Sequence, residues 1–392
     1  MNHLNHFQFS NPMNPISASF SPQISPNLPI SYPIGLAYTN YINYPATNAH
    51  SIHSNHLFPN YNLNNSHNSN FNPSGDGFSF SNSNQNQKYQ ETEKKMTIKE
   101  HYAYQGAIFQ IGGQNCHGDR MANVSKFVPE TGLWHEVTPM STPRIDFAVA
   151  SLREYIFAVG GESHEGSSLG TAEVLNIHTN KWTQIPAMNT RRSCVSAATV
   201  NDNIYVAGGS YLGTWLNAFE SFTPGKPFWQ PLPNMKLPRS RVELVANRNA
   251  LFAIGGSGDY NACRSAEMFD PRSGKWSFIP DPTTNFQYCC ATLYKNSIYV
   301  CGDLCFEEFD IVANRWKKLP SPTKCDFFMK MFTFCGEIYT MGGSRNIKAN
   351  EAVQTVQSYN IYQRTWVNAK PLVDPITNHC NVVAYPDLEF FP

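Results

Sequence analysis

The chain has 392 residues with 29 basic and 29 acidic side chains, and 41% of its residues are hydrophobic. So even a balance gives no electrostatic reason to expect a nucleic acid or an anionic membrane as partner. No run of about 18 apolar residues is present to cross a bilayer.

Residues 1–87 hold a single charged side chain, Asp76, so the remainder carries 29 basic against 28 acidic groups, a net charge of +1. That head is crowded with Asn, Ser, Pro and His, with Phe and Tyr scattered between, as in Ser81-Asn82-Ser83-Asn84-Gln85-Asn86-Gln87. Such segments bury too little apolar surface to offset roughly 1–2 kcal/mol per residue of chain entropy. Residues 1–95 are therefore expected to be a disordered low-complexity segment, with Gln90 to Lys99 as a charged link into the body. It opens without a basic region followed by an apolar core, so no secretory signal is expected and a cytoplasmic or nuclear location is the default.

From about Gln105 a repeat takes over. Glycine doublets stand at Gly112-Gly113, Gly160-Gly161, Gly208-Gly209, Gly255-Gly256 and Gly342-Gly343, with Gly302-Asp303 filling the gap. Their first glycines step by 48, 48, 47, 47 and 40 residues. Each doublet ends a short apolar and aromatic run such as Ile204-Tyr205-Val206-Ala207, the pattern of a strand buried on both faces. A second signature follows in every copy: Trp134, Trp182, Trp229, Trp276, Trp316 and Trp366, each seven residues after Phe127, Leu175, Phe222, Phe269, Phe309 or Tyr359. Turn residues lie between, as in Asp270-Pro271-Arg272-Ser273-Gly274, so each copy contains a strand, a tight turn and a further strand. Four short strands in some 47 residues make one propeller blade.

This pattern resembles the kelch repeat: an apolar strand, Gly-Gly, then Glu-x-aromatic, then Trp. The Glu position is filled by Glu173, Glu220, Glu267 and Glu307 or Glu308, and by Ser125 and Gln357 in the other copies. Linkers such as Pro139-Met140 and Pro233-Asn234-Met235 resemble those of BTB-kelch substrate adaptors. The resemblance implies an all-β, six-bladed kelch propeller over residues 96–392. The segment His379 to Tyr385 reads as the first strand of a blade that lacks its Gly-Gly and Trp, so it is expected to close the ring against blade 1. Thr97 to Tyr104 is the alternative supplier of that strand. Blade 5, with Asp303 and a short connection to the next strand, should present a stub where others present a loop.

Two loop sets are candidates for function. One follows the glycine doublets; the other follows the Pro-Met linkers and carries arginines. In kelch-like adaptors both sets line the ligand face, and arginine offers a planar fork for carboxylates. The resemblance points to Arg144, Arg192, Arg239, Arg241, Tyr211, Trp215, Tyr260 and Arg345 as partner-binding residues. The competing role for the arginines is to pair with backbone carbonyls or glutamates between blades. The expected partner is another protein, through an acidic or polar peptide segment at the propeller mouth.

No catalytic residue, metal or cofactor is expected. Body histidines are scattered, and no phosphate loop, nucleophile elbow or His-Glu-x-x-His occurs. The ten cysteines form no Cys-x-x-Cys pair and are expected to be small buried hydrophobes in a reducing compartment. Kelch-like adaptors carry a BTB domain, and nothing in residues 1–100 reads as one. A role as substrate arm of a ubiquitin ligase would then need a separate subunit. An actin-binding or scaffold propeller is the alternative, and a carbohydrate-active kelch enzyme a third.

Overall fold

Residues 106–128, 132–259, 261–302 and 305–384 are described by a computed structural model. The head expected to be disordered, the boundary at residues 95 and 96, Thr97 to Tyr104, Tyr260 and Asp303 all lie outside them.

The apolar runs before the glycines become the second strands of six antiparallel, four-stranded sheets. Ile156–Val159, Ile204–Ala207 and Leu251–Ile254 are buried throughout, which explains why they lack an alternating pattern. Innermost in blades 2 to 6 run Ala148–Leu152, Ser196–Val200, Glu243–Ala246, Cys290–Tyr294 and Lys330–Phe334. The sixth innermost strand, Cys380–Ala384, belongs to blade 1 and pairs with Ala107–Gln114, placing Ala384 opposite Ala107 and Cys380 opposite Ile111. Each innermost strand packs on the next around the circle, so the sheets close into a six-bladed propeller. Closure through the C-terminal strand hides the edge that Ala107–Gln114 would otherwise expose.

Tryptophans lock the blades radially. In blade 4, Trp276 sits across the hairpin from Phe269 and also packs edge-on against Phe219 of blade 3, at 4.9 Å between ring centres. Trp366 of blade 6 meets Phe306 of blade 5 in the same way, at 5.0 Å. The indole N–H finds a fixed partner in the preceding linker: Trp229 donates to the Pro186 carbonyl at 2.8 Å, Trp276 to Pro233 at 3.0 Å and Trp366 to Pro320 at 2.8 Å. A large apolar body is thus buried with its one polar atom satisfied.

The doublet glycines answer to crowding as well as conformation. Gly161 has φ +94°, and a Cβ there would lie 2.7 Å from the Ile145 carbonyl oxygen. The backbone crosses the neighbouring linker too closely for any side chain. All ten cysteines are free thiols, but only five are buried: Cys263, Cys289, Cys290, Cys301 and Cys380. Cys116 is exposed and the rest lie between, so the buried-hydrophobe expectation fits half of them.

Candidate partner-binding face

The two loop sets meet. Short antiparallel bridges join Ile145 to Glu162, Ser193 to Ser210, Phe327 to Ser344 and Thr377 to Gln114, and Arg239-Ser240 pairs with Ser257-Gly258. Five of the six linkers are therefore fastened, among the described residues, to the loop after a glycine doublet, and both border one end of the central channel.

Two residues before each innermost strand, one side chain per blade faces that opening: Asp146, Cys194, Arg241, Tyr288, Phe328 and Asn378. Together they line a central cavity of about 40 Å³. Five of them have φ between +50° and +61°, and none is glycine. Left-handed backbone at a bulky residue such as Phe328 is strained and persists only where the surroundings enforce it. Part of the enforcement is visible: the Cys194 N–H donates to the Asp146 carbonyl at 2.7 Å, and the Arg241 N–H to that of Cys194 at 2.8 Å.

Charge at the mouth is balanced. Arg241 forks onto Asp146, Nη1 to Oδ1 at 2.8 Å and Nη2 to Oδ2 at 2.9 Å, and lies over the Phe328 ring at 4.4 Å. Burial opposes the guanidinium's charge, but Asp146 outweighs it and holds the Arg241 pKa above its ordinary value. One layer deeper, Lys330 Nζ sits 3.3 Å from Glu243 Oε1. Burial raises the Glu243 pKa against the pull of Lys330. Beside them, burial and then the Lys330 charge hold His379 down to about 3. The Cys194 thiol is pushed up to about 12 by burial and by Asp146, which disfavours its thiolate.

Arg144, Arg192 and Arg239 are corrected by the structure. All three are fully buried and turn away from the mouth. Each pairs with the repeat glutamate of its blade: Arg144 with Glu173 at 3.1 Å, Arg192 with Glu220 at 2.6 Å and Arg239 with Glu267 at 2.8 Å. Further Nη donors reach backbone carbonyls, those of Gly160 and Thr171 for Arg144, and of Gly208 and Ala218 for Arg192, while the Nε of Arg192 and of Arg239 is buried without a partner among the described residues. Burial pulls Arg192 down to about 10, against the opposing pull of Glu220. With every carboxylate and carbonyl of the slot engaged, these arginines hold a linker to a blade. The competing role weighed from sequence is the one the structure gives them.

The other candidates reach solvent. Ser210-Tyr211 and Thr214-Trp215 form a hairpin turned at Leu212 (φ +49°) and Gly213 (φ +75°). Its tip is apolar: Trp215 is 46% and Leu212 83% exposed. Arg345 is exposed in the blade 6 loop, where its N–H donates to the Glu351 carbonyl. Sequence reasoning missed Asp146, Cys194, Tyr288, Phe328 and Asn378. Their signal was available, since Asp146, Cys194 and Arg241 each lie two residues after a buried arginine.

Among the described residues no cluster of three His, Cys, Asp or Glu could hold a metal, and no helix is long and apolar enough to cross a membrane. Six blades closed round a channel, each with its Trp, five with Gly-Gly and four with the repeat Glu, define a kelch β-propeller. The profile of the KLHDC2/KLHL20/DRC7 Kelch-repeats domain matches residues 99–303, more than half of the chain, and the chain belongs to that family. It is 29% identical over 147 residues to kelch repeat and BTB domain-containing protein 8 of Xenopus tropicalis, covering 36% of this chain and 24% of that protein. To kelch-like protein 36 of Rattus norvegicus it is 25% identical over 173 residues, 40% of this chain and 28% of that one. An F-box/kelch-repeat protein of Arabidopsis thaliana is 36% identical over 98 residues, 23% of this chain and 24% of its own length. The chain thus spans about a quarter of the length of these relatives.

Proposed function

We propose that this propeller seats a polar segment of a partner protein at its mouth, and that it recognises substrates for a ubiquitin ligase recruited through a separate subunit. The observation that carries the first part is the ring of strained, non-glycine side chains at the opening, flanked by the exposed Tyr211–Trp215 hairpin. Exposed aromatics give large contact area at small entropic cost, and arginine with aromatics dominates binding energy at interfaces. Asp146 already neutralises Arg241, so a purely acidic segment would have to break that pair. A segment bringing both an acceptor for Arg241 and a donor for Asp146 fits better. The ligase role is supported by kinship with BTB-containing kelch proteins, and ten free thiols agree with work in the cytoplasm or nucleus.

Affinity capture with the full chain tests the reading, repeated with Trp215→Ala and Arg241→Ala. A specific protein retained by the native chain and lost with both variants is expected. Equal retention by all three would sink the mouth as the binding site. Co-sedimentation with actin filaments, without a ligase subunit in the captured material, would replace the ligase role with the scaffold one.

A further inference from the structure

Blades 2, 3 and 4 each fill the slot beneath a linker with an arginine and a glutamate; blade 1 carries neither. Position by position, Ile376 stands where Arg144, Arg192 and Arg239 stand, and Ser125 where Glu173, Glu220 and Glu267 stand. The rest of the slot is kept. Arg144 donates to the carbonyls of Gly160 and Thr171, at 2.9 and 3.0 Å, and in blade 1 those places are held by Gly112 and Asn123. Among the described residues no side chain donates to either carbonyl. What remains is a cavity of about 170 Å³, several times a water's share of liquid volume.

Its lining is more polar than in the filled slots. Gln110 replaces Ala158, Val206 and Ala253. Glu136, paired across the strand with Ser125, stands where Gln184 faces Glu173 in blade 2, and Asp374 borders the same cavity. Both carboxylates are exposed, and neither has a cation partner among the described residues. Trp134 forms one wall.

We propose that the junction of blades 6 and 1 is a binding site for a guanidinium group, supplied by an arginine side chain of a partner polypeptide. The planar fork of arginine fits two carbonyls and a carboxylate together, as blades 2 to 4 demonstrate three times within this chain. In blade 1 the carboxylate comes from Glu136 at the rim, where it stays hydrated until a cation arrives. Residues 1–105 contain no arginine, so the head is not the source. The slot lies apart from the mouth, and its failure would leave the mouth reading untouched.

The full chain labelled with 5-fluorotryptophan provides the test, with N-acetyl-arginine amide as probe. The Trp134 fluorine resonance, identified by its loss in Trp134→Phe, should move saturably with the probe. N-acetyl-lysine amide should move it more weakly, lacking the fork. Glu136→Gln, a change at an exposed residue, should weaken the arginine response roughly two- to fivefold. Ile376→Arg combined with Ser125→Glu rebuilds the internal pair and should abolish the response. An immobile Trp134 resonance, an equal response to the lysine probe, or an undiminished response in Glu136→Gln would each overturn the proposal. The last two variants are independent, so misfolding of the double variant leaves the test intact.

Discussion

Blades 2 to 4 and blades 5, 6 and 1 share one topology but are held in different ways. The first three are bolted by buried ion pairs: Arg144–Glu173, Arg192–Glu220 and Arg239–Glu267, none more than 3% exposed at the side chain. In blade 5, Phe286 takes the arginine's place, and Glu307 is satisfied by the Thr283 N–H at 3.0 Å and the hydroxyls of Thr283 and Thr284. Blade 6 has Asp326 and Gln357 at the equivalent positions; Gln357 accepts from the Thr323 hydroxyl at 2.8 Å and donates to the Lys324 carbonyl at 2.7 Å. Blade 1 has Ile376 and Ser125 and leaves a cavity. Where the arginine goes, its carboxylate is exchanged for a neutral group or surrounded by neutral donors. A buried carboxylate cannot lose its cation without replacement hydrogen bonds. Half of the ring is therefore uniform scaffold, and the other half is where this chain has departed from its own repeat.

The contrast is broken or sharpened most strongly by Glu267→Ala. It leaves Arg239 buried and unpaired and should cost about 3–5 kcal/mol of unfolding free energy. Ser125→Ala, at the same position in blade 1, should cost less than about 1 kcal/mol. Urea unfolding of both decides the matter, and similar losses would mean the two halves are not held differently.

Acid should act next. His379, in the closing strand of blade 1, is held down to about 3 by burial and then by the charge of Lys330. Its folded pKa lies below its unfolded value of about 6.5, so below that pH the unfolded chain binds the extra proton. This group's contribution is complete above about pH 6.5 and is lost as pH falls toward 3, at roughly 1.4 kcal/mol per pH unit. Glu243, raised by burial, acts in the opposite sense above its unfolded value. The stability difference between the native chain and His379→Leu, followed from pH 7 to 4, isolates the histidine and should narrow as pH falls. A constant difference would contradict the assignment.

A smaller effect is expected from Glu307→Gln. It keeps the shape but weakens charge-assisted hydrogen bonds to Thr283 and Thr284, at roughly 1–2 kcal/mol. In Glu267→Gln, by contrast, Arg239 loses its counter-charge, and thermal unfolding should show the larger loss. Least of all should come from Arg153→Ala. Arg153 and Asp202 are 48% and 67% exposed at the side chain and 3.3 Å apart, so their loss should stay within about 0.5 kcal/mol.

Much of this was legible in the sequence. Ile204 to Gly209 and Phe269 to Trp276 spell out strand, bend and hairpin in contiguous residues, so the repeat, the six blades and the inward tryptophans follow from local pattern. That the two loop sets share one face came from the resemblance to kelch-like adaptors, and bridges between Ile145 and Glu162 and between Ser193 and Ser210 join them. The direction of the arginines was not legible. Arg239 and Arg241 are two residues apart and chemically identical, yet one is wholly buried and the other reaches the mouth.

Sequence alone determined how many blades there are and which residues build the hairpins of each, because strand, turn and hairpin signals are written within some 47 neighbouring residues, while the ring's closing strand was left between two candidates. The tertiary structure alone decided which side chains are available to a partner. Arg144 meets Glu173 from 29 residues away, Arg241 meets Asp146 from 95, and the chain leaves the junction slot unfilled by its own side chains because Ile376 and Ser125 come together from opposite ends of the repeat array. Burial and charge pairing are properties of the closed ring, and no local stretch of the chain contains them.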